Sequence, residues 1–167
     1  MSVPRYLVTA LLGAVASTSL LAVPASAAPA PAAHSPASLR SAVIKLTNSE
    51  RAKAGCPALT SNAALNKAAQ RHSSDMARHN FTGHIGSNGS TFVTRAEAAG
   101  YTGWRALAEN VAGGQKTAAR VVKSWMKSPG HRANILNCSL RNIGVGYAKK
   151  SGTNEGTYWT QDFGAKF

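Results

Sequence analysis

An α+β domain with an antiparallel sheet is what this sequence predicts, and two observations carry the prediction. Helix-period apolar patterns dominate the early part of the chain, and period-two alternation gathers towards its end. That order suits helices packed on an antiparallel sheet and argues against a parallel strand–helix–strand array.

The first 27 residues stand apart from the fold. Arg5 supplies a positive start, Tyr6 to Val23 is apolar, and Pro24-Ala25-Ser26-Ala27 ends on a small-residue cleavage pattern. Residues 1–27 therefore read as a secretory signal peptide. The alternative, a membrane anchor, is weakened by Thr9, Ser17, Thr18 and Ser19, which interrupt the run a span requires. No cysteine lies near the cleavage site to carry a lipid, and no later apolar run is long enough to span a bilayer. Residues 28–38 are rich in Ala and Pro without periodicity and read as a flexible lead-in. The folded domain is expected over residues 39–167 as a secreted, extracellular, soluble monomer without a transmembrane anchor.

The elements follow in order. Leu39, Val43 and Leu46 recur at helical spacing and mark a first helix that stops at Gly55 and Pro57. A second helix runs from about Asn62 to Asn80, with Leu65, Ala69, His72 and Met76 inward and Arg71, Asp75 and Arg78 outward. Thr82 to Ser90 is a loop with an Asn88-Gly89 turn, and Ser90 is placed to cap a short helix ending at Gly100. Arg105 to Ala112 alternates as a strand with Leu107, Glu109 and Val111 on one face, broken by Gly113-Gly114. Thr117 to Lys127 is helical, burying Ala118, Val121, Val122 and Trp125. Pro129 suits the first position of a further helical turn. Ile143, Val145 and Tyr147 mark one more strand, and Trp159, Gln161 and Phe163 the last.

Composition narrows the partners. Lys and Arg number 19 against 6 Asp and Glu, a net charge of +13 that falls to +12 when Arg5 leaves with the signal peptide. Such a surface suits anionic envelope polymers or lipids. The basic residues are scattered, and Lys149-Lys150 is their only adjacent pair, so a nucleic-acid partner is not expected. Cys56 and Cys138, an even pair in an exported chain, read as a disulfide, with two buried thiols as the alternative. The bridge would close a loop of about 80 residues and stabilise the fold by about 4 kcal/mol.

Five histidines and six acids leave few candidates for chemistry. His34 falls in the lead-in, His72 on an apolar helical stripe as a core residue, and His79 near an exposed helix end. Glu50, Asp75 and Glu97 sit in helices near Lys or Arg, where solvated pairing is the ordinary role. Glu155 lies in a polar turn and Asp162 on the last strand. His84, Glu109 and His131 remain. Both histidines follow a glycine in a loop, and Glu109 is a carboxylate on a core-facing strand that needs partners. Two imidazoles and a carboxylate form a candidate site for a divalent ion such as zinc. Trp104, Trp125 and Trp159 are candidates to line a groove, with core packing the more ordinary role for the last two.

Several blocks carry a resemblance. Asn80-Phe81-Thr82-Gly83-His84, Ala108-Glu109-Asn110-Val111-Ala112-Gly113 and the run from Trp125 through Ser128-Pro129-Gly130-His131 to Leu136 occur in order. Ile143-Gly144-Val145-Gly146-Tyr147 and Tyr158 to Gly164 follow them. From Leu39 onward the chain resembles the CAP superfamily, which groups cysteine-rich secretory, antigen 5 and pathogenesis-related proteins. The likeness is to its secreted bacterial branch of SCP-like extracellular proteins. The resemblance implies a three-layer α-β-α sandwich with a central antiparallel sheet. It also implies a cleft in which His84 and His131 can bind a divalent metal beside Glu109, with Asn110 and Ser128 lining it. Two positions depart from the pattern: Ala108 replaces the usual Gly before the Glu, and Ser128 stands where many animal members carry a second cleft Glu.

Two functions follow as expectations. In the first, the domain acts at or near the cell envelope and its cleft holds an anionic lipid, glycan or wall ligand, with zinc bound weakly and exchangeably. In the alternative, it is a metal-dependent extracellular hydrolase in which zinc on His84 and His131 polarises a water and Glu109 acts as general base. The ligand count favours the first, because catalytic zinc normally has three protein ligands.

Overall fold

The computed structural model describes residues 1, 2, 4 and 35–167. The signal-peptide reading falls almost wholly, and the lead-in reading largely, outside the described residues. Residues 35–167 lie in one compact unit. Its elements are α1 (Pro36–Lys53), β1 (Thr60–Ser61), α2 (Ala63–His79), α3 (Phe92–Ala98), β2 (Trp104–Gly113), α4 (Ala118–Lys127), α5 (Pro129–Ile135), β3 (Asn142–Lys149) and β4 (Thr157–Lys166). No helix among them is long and apolar enough to cross a membrane.

The strands lie in the order β1-β3-β4-β2. The three long strands are antiparallel, as expected, and β1 adds a two-residue parallel pairing to β3. A strand that short has no alternation to read. Helix ends also differ by small steps from the sequence reading. The first helix begins at Pro36, because the Ser35 side chain accepts a bond from the Ser38 amide and Pro suits the opening turn. The cap of α3 is Thr91, not Ser90, since Thr91 and Thr94 bond reciprocally as a capping box.

The helices cover the sheet on both faces. On one side α1, α4 and α5 meet β3 and β4 through Val43, Val121, Val122, Trp125, Ile135, Ile143, Val145, Trp159 and Phe163, which form the main core. On the other side α2 packs almost directly on the backbone of β3. A Cβ on Gly144 would overlap the backbone of Leu65, and one on Gly146 would overlap the carbonyl of Ala69. Only glycine admits that approach.

The close approach also closes an edge. Most of β3 has no strand beyond it, and an open edge is a template for aggregation. From α2, the Asn66 side chain accepts from Val145 N (2.9 Å), and Gln70 both donates to Tyr147 O (2.9 Å) and accepts from Tyr147 N (3.2 Å). The opposite edge, β2, is covered likewise: Trp125 Nε1 donates to Val111 O (3.1 Å) and Asn134 to Glu109 O (3.2 Å).

The end of α1 is fixed by an ion that sequence reasoning passed over. Arg51 is fully buried with no carboxylate partner and donates to the carbonyls of Pro57, Ile135, Asn137 and Leu140 at 2.8 to 3.1 Å. Burial lowers its pKa, and the charge of Arg141 acts in the same direction. Four carbonyls replace the water a buried guanidinium loses. Beside it Cys56 and Cys138 are joined, as expected, across 82 residues of chain.

The contact between α2 and β3 yields a direct test. Gly146→Ala should cost about 3 kcal/mol or more, because the backbone it strikes cannot move aside. Gly130→Ala, whose Cβ would point into open space, should change stability by no more than about 0.5 kcal/mol unless helix propensity improves it. Thermal unfolding of both variants decides the matter; equal melting temperatures would show that the contact tolerates a methyl group.

Candidate functional site

The site is built around Glu109. Alternation along β2 turns its side chain towards the α2 side of the sheet, where it is buried. Two groups meet its oxygens. His84 Nδ1 lies 2.8 Å from Oε1, and Arg95 Nη2 from α3 lies 2.7 Å from Oε2. As the carboxylate only accepts, the His84 ring carries its Nδ1 proton towards Glu109 and presents Nε2 outward. Burial alone would push Glu109 up, but the His84 bond and the Arg95 charge outweigh it and hold the group below the usual glutamate range. The same bond to Glu109, partly offset by burial, raises His84.

The loop carrying His84 is held from three sides. His72, fully buried on α2, bonds through Nε2 to Gly83 O at 2.8 Å. Asp75 receives Ser87 N at 2.8 Å and Ser87 Oγ at 2.6 Å, and His79 Nδ1 lies 2.8 Å from it. These bonds outweigh burial and lower the Asp75 pKa. Arg95 donates to His84 O at 3.0 Å and to Ser90 O at 2.7 Å. His72 thus packs in the core as expected and also anchors the loop. Of the three acids expected in solvated pairs near Lys or Arg, Glu50 makes one with Lys53 at 2.6 Å, and Asp75 meets His79. Asp75 also pins the loop, and Glu97 accepts from Trp104 Nε1 at 3.1 Å.

His131 arrives from the other layer, on α5. Its backbone carbonyl accepts from Asn110 (3.2 Å), which is fully buried. Asn110 also donates to Gln161 (3.1 Å) and accepts from Asn134 (2.9 Å), and Gln161 reaches Thr47 on α1 at 2.8 Å. Asn110 therefore sits behind the cleft wall as a brace. Ser128 is the half-buried residue between α4 and α5, and its side chain makes no capping bond. Burial lowers the His131 pKa, and the nearby charge of His84 adds to the effect. Trp125 and Trp159 are buried in the core, whereas Trp104 is only partly covered.

Sequence reasoning missed the fourth member of the Glu109 group. Asp162 on β4 is the register partner of Glu109, and both are buried. Among the described residues no donor reaches either Asp162 oxygen. Burial first, and then the Glu109 charge, raise Asp162 well above the usual aspartate range. The site thus holds one carboxylate matched by Arg95 and His84 and, beside it in register, a buried acid whose ionisation burial opposes.

Residues 44–163 match the model of the cysteine-rich secretory protein family, CAP. The chain is a CAP protein. It is 40% identical over 121 residues to the uncharacterized protein YkwD of Bacillus subtilis (strain 168), a stretch that is 72% of this chain and 45% of YkwD. It is 30% identical to the membrane protein YlbC of the same organism, over 72% of this chain and 33% of YlbC. The chain thus spans less than half the length of these relatives. Among solved structures, an extracellular SCP-domain protein from Bacillus anthracis superposes with a TM-score of 0.67 at 27% identity, covering 76% of this chain and 40% of that one. An outer surface protein of Borrelia burgdorferi shares the fold, with a TM-score of 0.67 at 21% identity over 75% of this chain and 90% of its own. The α-β-α sandwich expected from the motifs is the fold of this CAP domain.

Asp162 gives a prediction whose sign is fixed. Its folded pKa stands above the ordinary 3.8, so the native state binds the proton more tightly than the unfolded chain. The resulting stability is fully present below 3.8 and is lost as pH rises through the folded value. Asp162→Asn keeps a neutral group there and should gain on the parent as pH rises, by up to about 1.4 kcal/mol per pH unit within that window. Urea midpoints of both proteins from acid to neutral pH measure it. A difference independent of pH would mean that Asp162 ionises like an exposed aspartate.

Proposed function

We propose that this CAP protein is a secreted ligand-binding module of the cell envelope. Its cleft beside His84 and His131 takes an anionic lipid, glycan or wall group. The observation that carries this reading is the state of Glu109. A general base needs a free lone pair and a pKa near the working pH. Each Glu109 oxygen already accepts a bond from His84 or Arg95, and its pKa is lowered, so it is a weak proton acceptor. Its charge is matched by Arg95 at 2.7 Å, which lessens its repulsion of an anion.

The donor set fits weak, exchangeable zinc. The Glu109–His84 bond orients the ring as carboxylates do behind metal-binding histidines, and lowering of the His131 pKa keeps that imidazole neutral. Among the described residues no three His, Cys, Asp or Glu side chains stand together as a metal set, so the reading rests on the two imidazoles alone. Zinc there would supply positive charge to an anionic oxygen; His84 and His131 would hold it, and Glu109 would orient His84.

The test combines zinc titration with binding to purified envelope fractions. His84→Ala and His131→Ala should each lower zinc affinity at least tenfold, and Glu109→Gln by roughly 10–100-fold as the orienting partner is lost. Saturable envelope binding without turnover of peptide, ester or glycan is expected. Zinc-dependent turnover that disappears in Glu109→Gln would overturn the reading in favour of a hydrolase.

A further inference from the structure

A groove of ≈ 920 Å³ runs between α1 and α2 along the β1–β3 edge of the sheet. It shares Lys67 and Gln70 with a hollow of ≈ 360 Å³ on the outer face of α2, so the two adjoin. None of His84, Glu109 and His131 lines either.

Charge of one sign gathers here. Arg40, Lys45, Lys67, Arg71 and Arg78 line the combined surface, and no Asp or Glu does. Among the described residues none of the five is in an ion pair. Lys67 and Arg71 stand at i, i+4 on α2, a like-charge spacing that weakens a helix and so does nothing for the fold. From Lys67 to Arg78 the row covers about 16.5 Å along the helix axis. Lys150 extends it, its ammonium donating to Arg78 O at 3.1 Å.

The floor of the groove is fixed, and its amides are taken. Asn66 and Gln70 bond the edge of β3, and Asn48 both donates to and accepts from the Leu59 backbone. An extended peptide would have to displace the first two to pair with β3 as an added strand. Arg40 stands on this floor. Its Nη1 donates to Gln70 Oε1 at 2.7 Å, which holds the guanidinium in place with its charge unmatched.

The lining also discriminates among anions. It contains no aromatic side chain, so the bases of a nucleic acid find no stacking platform. The exposed large apolar side chains among the described residues are Met1, Ile85 and Phe167. None of them lies in the groove, so a bilayer has no apolar anchor there. A recessed row of unmatched cations suits a thin, flexible chain of anions, because neutralising several charges together releases their counterions. Ser41 and Ser61 set hydroxyls between the cations, where they can bond polar spacers. The planar fork of arginine matches two oxygens of a phosphate.

We propose that the groove between α1 and α2 is a docking surface for a linear, non-aromatic polyanion, a chain of phosphodiester-linked polyols. Arg40, Lys45, Lys67 and Arg71 take successive phosphates, and Arg78 and Lys150 continue the track. The surface shares no residue with the cleft, and its test leaves His84 and His131 intact, so either reading can fail without the other.

Titration of short poly(glycerol phosphate) oligomers into the full domain, followed by amide shifts, tests it. Saturable binding is expected, with shifts along the facing sides of α1 and α2. Affinity should fall at least tenfold as salt rises from about 50 to about 200 mM, and glycerol 3-phosphate alone should bind at least tenfold more weakly. The triple variant Lys45→Gln, Lys67→Gln, Arg71→Gln should lose at least tenfold in affinity, with a flatter salt dependence and an unchanged melting temperature. Arg120→Gln with Lys123→Gln and Lys127→Gln, which removes equal charge from exposed positions on α4, should bind like the parent. The shift map of the parent locates the surface whether or not the variants fold. Equal loss in both triple variants would reduce the effect to net charge and overturn the surface, as would shifts confined to the His84 loop or no saturable binding. Oligothymidylate, polygalacturonate or phosphatidylglycerol vesicles binding as tightly at equal charge would overturn the partner class.

Discussion

The distance between α2 and β3 sets much of what stands on that side of the sheet. Gly144 and Gly146 let the helix backbone rest on the strand backbone, and a methyl group at either would force the two apart. At that spacing Asn66 and Gln70 reach the free edge of β3 as a surrogate strand. The same spacing fixes the height of His72 and Asp75, further along the same helix. Those two hold Gly83 and Ser87, and between them lies His84. The geometry of the cleft is thus inherited from a packing contact on another strand.

The second organising constraint is the treatment of charge inside the fold. Arg51 is buried among carbonyls, whereas Glu109 is buried with a guanidinium and an imidazole on its oxygens and Asp162 beside it in register. In both cases the ion is saturated, which is the condition for keeping a charge out of water. The consequences differ. Arg51 ties the end of α1 to the segment between α5 and β3, next to the disulfide, with every guanidinium nitrogen bonded to a carbonyl. Glu109 fixes the tautomer and direction of a half-exposed histidine. The first is a clamp and the second an orienting group.

Much of this was legible in the sequence, and the unread parts share a cause. Helix α4 was plain because Ala118, Val121, Val122 and Trp125 repeat at helical spacing, and β3 and β4 because their apolar residues alternate. Local periodicity carries that information. His84, Glu109 and His131 stood out by subtraction, being the titratable groups without an ordinary role. Arg95, Asp162 and Arg51 did not, because each owes its importance to a partner far along the chain. Asp162 meets Glu109 only once the register of β2 on β4 is known, and nothing local to either strand fixes it. Arg51 reads as a solvated cation near a helix end until the chain some 85 residues later folds over it. Even the glycines of Ile143 to Tyr147, visible as a motif, gave no hint that a helix backbone required them.

The His84 loop shows how these levels combine. Its backbone is bonded by His72 and Asp75 from α2 and by Arg95 from α3, and Arg95 also bonds the carboxylate that His84 faces. The imidazole is therefore oriented by its own ring bond and by a loop whose position the same arginine fixes. A side chain so placed has little conformational freedom left to lose on meeting a ligand, which is the advantage of preorganisation. Arg95 also lines a cavity that opens between α2, the loop and α3. One guanidinium thus fixes the His84 loop, matches the Glu109 carboxylate and lines the adjoining cavity.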